Sequence, residues 1–211
     1  MRETLQPYIA DNTYEQMLSR YHFRSADEGK LRILTDQLLK KAAPAVYFGG
    51  KNPEAESRLA VLVTLGAGVD DLQEAYTLKE KLMESYMIEC IAMELLQNAY
   101  EQTADIIYSH YGHWMGGFDF LGDSVPVKRM EEVFAILQPE EISYNQAYML
   151  LPKKTVAFYT TLTDSRKAAY CNVCSTCSHT KCIHRKGNLT YGYQQIFGKQ
   201  RPDGSRDVKK G

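Results

Sequence analysis

Between Leu82 and Ile107 the sequence holds neither Gly nor Pro and consists largely of good helix formers. That run predicts one long helix around which the remaining elements must pack. Ile88, Ala92, Leu95, Ala99 and Ile106 fall on one stripe, which is expected to face the core. A second line starts with Met83, Met87 and Cys90 and continues into Glu94, Gln97 and Glu101. Its polar end reads first as a solvated flank and second as the border of a ligand pocket. Cys90, within that line, reads as a small buried hydrophobe rather than a nucleophile.

The segments around this helix supply a sheet and shorter helices. Ser25-Ala26-Asp27-Glu28 has the pattern of a capping box, and Leu31, Leu34 and Leu38 follow at helical spacing until Ala43-Pro44 stops the helix. Leu59 to Leu65 is a compact apolar run before Gly66 and Gly68, as in a buried strand entering a tight turn, with the next helix starting near Asp70. Gly112 to Gly122 is rich in glycine and aromatics and reads as an ordered loop. Trp114, the single tryptophan, serves there as an anchor. A short helix follows with Pro126 in its first turn and Val127, Met130, Phe134 and Leu137 inward. Residues 142–151 and 155–162 are expected to form a β-hairpin that turns at Pro152-Lys153-Lys154, the two lysines solvating the turn.

Composition places limits on function. With 44% hydrophobic and 24% charged residues, the 211-residue chain can bury a sizeable core. A formal net charge of −1 argues against duplex nucleic acid as the main partner. No apolar run approaches the roughly 20 residues needed to span a bilayer, and Met1 to Pro7 lacks the apolar core of a secretory signal. The expected location is the cytoplasm.

Four of the five cysteines crowd into one stretch, Cys171-x2-Cys174-x2-Cys177-x4-Cys182. In a reducing compartment such crowding favours metal binding over disulfides. Two-residue gaps let successive thiolates turn back on one centre, as both iron–sulfur clusters and zinc require. The spacing of the first three cysteines suits a [4Fe–4S] cluster, whereas nearby His179 and His184 would suit zinc. Both metals remain open. The chain thus divides into an α+β domain over residues 1–165, with helices packed on a mostly antiparallel twisted sheet, and a C-terminal cysteine-rich metal-binding segment with a basic tail over 166–211.

The order of these elements resembles the activation domain of cobalamin-dependent methionine synthase and its free-standing relatives from anaerobic bacteria. Val63-Thr64-Leu65-Gly66 is similar to a strand ending of that family, and Glu94 to Tyr100 is similar to part of its long helix. Gly117-Phe118 resembles its Gly-Tyr, and Leu150 to Val156 resembles its Pro-x-Lys-Ser-Val stretch. Cys174-x2-Cys177-x4-Cys182-x2-Arg185 is similar to the ending of many free-standing relatives. The resemblance implies an accessory protein that supports reductive reactivation of a corrinoid methyltransferase. The cobalamin would be carried by a partner protein, and S-adenosylmethionine would be the methyl donor. On that reading His113, Gly116, Gly117, Phe118 and Gln97 would border the donor, while Cys171, Cys174, Cys177 and Cys182 hold the metal. His113 stands where the family has an arginine, and Gln97 where it tends to have a glutamate. A reading from another class is a zinc-stabilised module that binds single-stranded RNA through Lys181, Arg185, Lys186, Tyr191 and Tyr193. A third is a redox sensor that uses the thiols directly.

Overall fold

The computed structural model describes residues 1–50 and 58–164. Its architecture is α+β, with helices against a curled antiparallel sheet. In chain order the elements are β1 (Arg2–Thr4), α1 (Asp11–Arg20), α2 (Glu28–Lys41), β2 (Ala45–Gly49), β3 (Arg58–Thr64), α3 (Ala67–Leu78) and α4 (Leu82–Tyr111). There follow β4 (Trp114–Met115), β5 (Asp119–Phe120), α5 (Met130–Leu137), β6 (Ser143–Tyr144), β7 (Leu150–Leu151) and β8 (Thr155–Thr163). The sheet runs β1-β2-β3-β8-β4, with β5 also on β8. All of these pairings are antiparallel, with Val61 opposite Phe158 at the centre.

The apolar run of β3 is continuous because both faces of that strand are covered. Side chains alternate across a strand, so Leu59, Val61 and Val63 enter one core while Ala60 and Leu62 enter another. Val46 and Phe48 of β2 and Phe158 of β8 join the first core, together with Leu31, Leu34 and Leu38 of α2 and the inner side of α4. The second core is smaller and gathers Tyr47, Ala157 and Tyr159 under Met130, Val133 and Leu137 of α5. Ile88, Ala92, Leu95 and Ala99 are fully buried, as their spacing predicts, and Ile106 packs partly buried against them. Among the described residues, no helix is long and apolar enough to cross a membrane.

Several local expectations need correction. Ser25–Asp27 is a 3-10 turn, and the capping carboxylate is that of Asp27, which accepts the Arg24 backbone N–H at 3.1 Å. The helix expected near Asp70 begins at Ala67. The glycine-rich stretch after α4 is not wholly loop, because β4 and β5 both pair with β8. The hairpin lies within residues 143–151, where β6 pairs with β7, and β8 instead joins the main sheet. Val127 is half-exposed rather than inward, and Phe134 is partly buried against Tyr144. The Lys154 side chain does not solvate a turn. It is largely buried and places its Nζ 2.6 and 2.7 Å from the two Glu89 carboxylate oxygens.

Candidate functional site

The loop after α4 begins where the helix must stop. Gly112 takes the left-handed conformation, φ 68°, and its N–H closes on the Tyr108 carbonyl at 2.8 Å, the ending glycine best allows. His113 follows, half-exposed, with Nδ1 2.9 Å from Asp164 Oδ1. That contact joins the start of the loop to the end of the described chain. Trp114 stacks on Tyr108 of α4, ring centroids 4.0 Å apart, and β4 pairs it with Thr163. It anchors the loop, as expected.

The two adjacent glycines do different things. A side chain at Gly116 would overlap the Thr161 hydroxyl and come within 2.9 Å of Thr163 Cγ2, and its own N–H donates to the Thr161 carbonyl at 2.6 Å. Gly116 therefore lets the strand press against β8. Gly117 has open space on its Cβ side, with nothing within 4 Å. Phe118 turns inward and is buried against Tyr100, Phe120 and Phe158, with centroids 5.4, 5.6 and 4.9 Å away. The loop thus presents one glycine to solvent and uses its aromatic neighbour as core.

On the polar line of α4 the solvated-flank reading fails for two members. Glu94 is 3% exposed and Gln97 is 7% exposed. Glu94 is held by an ion pair with Arg20 and by the Tyr21 hydroxyl, which donates at 3.1 Å. Burial, reinforced by the Glu94 charge, pushes the Tyr21 hydroxyl well above the ordinary tyrosine range. Cys90, one turn before Glu94, is fully buried, and burial pushes its thiol up to about 12. It is the small hydrophobe the sequence suggests. Gln97 is different in kind. Its amide oxygen is buried and has no hydrogen-bond partner among the described residues. It lies one turn before Tyr100, the ring that meets Phe118.

Beside Glu94 a cleft of about 170 Å³ opens between the start of α1 and α4, lined by Tyr8, Ile9, Ala10, Thr13, Glu94, Asn98 and Glu101. Its rim is fixed by side-chain amides. Asn98 accepts the Tyr8 N–H at 3.0 Å, and Gln102 both accepts the Gln6 N–H and donates to the Gln6 carbonyl at 2.8 Å. Sequence reading missed this arrangement because its two walls lie far apart in the chain. The capping-type amides at positions 98 and 102 were the available signal.

Cys171, Cys174, Cys177 and Cys182 lie outside the described residues, as do His179, His184, Lys181, Arg185, Lys186, Tyr191 and Tyr193. Among the described residues, no group of three or more His, Cys, Asp or Glu side chains could hold a metal ion.

No protein-family model matches the chain, and no curated protein matches it. Among solved structures, it is similar to the MetH reactivation domain crystallised with AdoHcy, with a TM-score of 0.52 and 11% identity. The likeness covers 82% of this chain and 81% of that one. The chain therefore shares the fold of that domain.

Proposed function

We propose that this protein supports the reductive reactivation of a corrinoid methyltransferase. Its described domain would take S-adenosylmethionine as methyl donor and meet a cobalamin carried by a partner. The observation that carries the reading is the buried, unanswered amide oxygen of Gln97, on a fold shared with a domain crystallised with AdoHcy. A buried acceptor without a donor costs roughly 1–3 kcal/mol, and a ligand amine would supply the missing donor. The open side of Gly117, across the Phe118–Tyr100 contact, offers a place where backbone can approach a ligand closely.

In this reading the residues have separate tasks. Gln97 orients the donor through its amide, and Gly117 admits it. Phe118 acts from behind by fixing the loop on the aromatic core. His113 is committed to Asp164 and positions the loop without making the forked contact an arginine would offer. The methyl donor and the cobalt supply the chemistry, and the protein supplies placement and a dry wall. An iron–sulfur cluster on Cys171, Cys174, Cys177 and Cys182 would bring the electron needed for reduction, whereas zinc there would act only as a staple.

The test is anaerobic purification of the full chain, with iron, sulfide and zinc analysis. Calorimetric titration with S-adenosylmethionine and AdoHcy follows, and then visible spectra with and without cob(II)alamin. Saturable binding of either nucleoside and a perturbed cobalamin spectrum are expected. Silence for both ligands ends the proposal, and a preparation without iron or sulfide removes the electron-relay part alone.

A further inference from the structure

The wall of the cleft that faces α4 is fastened differently from the rest of the domain. Leu5 and Tyr14, 2% and 6% exposed, mark its two ends. Between them Gln6, Tyr8, Ala10, Asp11 and Asn12 are exposed, and Pro7 is the one buried residue. The first turn of α1 lies in this stretch and starts without help. Its N-cap is Ala10, which makes no side-chain cap, and alanine is a poor residue at that position.

Residues 6–13 are held by side chains of two helices. The Gln102 amide accepts the Gln6 N–H and donates to the Gln6 carbonyl, each at 2.8 Å, and it also donates to Asn98 Oδ1 at 2.9 Å. Asn98 in turn accepts the Tyr8 N–H at 3.0 Å. From α2, Arg32 reaches the Asp11 carboxylate at 2.7 Å. The bonds to Gln6, Tyr8 and Asp11 are all exposed, so water competes for each of them. Beyond Tyr14 the character changes. Met17 and Leu18 belong to the core, and Arg20 pairs with Glu94 away from solvent. A segment held by exposed bonds and few buried groups opens at less cost than the domain around it.

We propose that residues 6–13 form a flap over the cleft, hinged at Leu5 and Tyr14, with Gln102 as its latch. Opening exchanges the latch bonds for bonds to water and frays the first turn of α1, while the core beyond Tyr14 stays packed. Tyr8, Ile9, Ala10 and Thr13 then part from Glu94, Asn98 and Glu101 on α4, and entry to the cleft is set by how often the flap opens. Gln102 is a positioning residue, since it bonds the Gln6 backbone and the Asn98 amide and is not among the lining side chains. This inference goes beyond the methyl-donor reading and can be tested without any ligand.

The experiment is hydrogen exchange of the full chain, followed by NMR at individual amides. The Gln6 and Tyr8 amides should exchange at least about a hundredfold faster than those of Leu62 and Ile91, at rates that low urea leaves unchanged, as local openings do. In parallel, Thr13→Cys places a thiol on the flap beside the cleft, and its alkylation by iodoacetamide, located by peptide mapping, reads the opening directly. Adding Gln102→Ala should speed both that alkylation and the Tyr8 exchange about tenfold, as for the loss of a few exposed hydrogen bonds, and leave Cys90 as slow as before. Exchange at Tyr8 as slow as at Leu62 overturns the proposal. So does alkylation that Gln102→Ala leaves unchanged. An equal rise at Cys90 also overturns it, because flap and domain would then open together.

Discussion

The sheet has an apolar core on each face, and the two differ in what else they bury. On the α5 side the Tyr159 hydroxyl is buried without a hydrogen-bond partner among the described residues, but the charges stay at the rim, where Arg129 pairs with Glu132 at side-chain exposures of 55% and 24%. On the α4 side a carboxylate and a carboxamide are sealed in. The Arg20–Glu94 pair is exposed by only 11% and 2%, and the Gln97 oxygen has no partner. A buried charge is costly unless well paired, and an unanswered amide is costly outright. Local inconsistencies of this kind tend to gather where a protein works. The α4 face thus buries a charge pair and an amide, where the α5 face buries a hydroxyl.

The largest expected effect tests that contrast directly. Glu94→Ala should cost about 3–5 kcal/mol, because it strands a buried guanidinium. Glu132→Ala should cost no more than about 1 kcal/mol, the usual range for an exposed pair. Urea unfolding of the full chain measures both. Equal losses would erase the distinction between the two faces.

The neighbouring glycines sharpen the comparison at shorter range. Gly116→Ala should destabilise by about 1–3 kcal/mol, since the new methyl must displace Thr161 and Thr163 on β8. Gly117→Ala meets nothing within 4 Å and should be neutral or stabilising by up to about 1 kcal/mol. Opposite signs at adjacent positions are the signature of one glycine required by packing and one left free for a ligand. A loss at both positions would close the loop as a site.

Much of this was legible in sequence wherever the information is local. The absence of Gly and Pro announced α4, the apolar run announced β3, and the leucine spacing set the inner side of α2. What stayed hidden depends on partners far along the chain. Nothing near Glu94 in the sequence shows that Arg20 will come to it, so the line through Glu94 and Gln97 read as solvated. Lys154 beside Lys153 read as a wet turn because Glu89, its partner, lies sixty-five positions away. Phe118 entered only through the family resemblance, since spacing cannot reveal that Tyr100 and Phe158 enclose it. The hairpin was misplaced for the same reason: β8 has a better partner in β3 than in its sequence neighbour.

Cys90 gives a smaller test of how dry the α4 side is. Burial holds its thiol near 12 in the folded protein, against about 8.5 in an unfolded chain. A thiol raised in this way contributes stability that is whole below about pH 8.5 and is lost as pH climbs towards the folded value. Stability should therefore fall gradually above about pH 9. Alkylation of Cys90 at pH 8 should proceed only as fast as the protein opens, as peptide mapping after iodoacetamide would show. Alkylation at the rate of a free thiol would mean that water reaches this part of α4.

The smallest expected change in stability carries the most functional weight. Gln97→Leu replaces an unanswered amide by an apolar side chain of similar size, so folding should be unchanged or up to about 1 kcal/mol more favourable. If the amide oxygen waits for a ligand donor, affinity for S-adenosylmethionine should drop at least tenfold in the same variant, a loss of about 1.4 kcal/mol. A residue that serves only the fold cannot produce that pair of results, because its loss would cost stability and leave binding alone. Gln97→Glu separates the roles further. It retains an acceptor and adds a charge, and should bind a cationic donor in preference to AdoHcy. A Gln97→Leu chain that is more stable and binds as tightly as the parent would show that the buried amide marks no site, and the α4 face would then differ from the α5 face in packing alone.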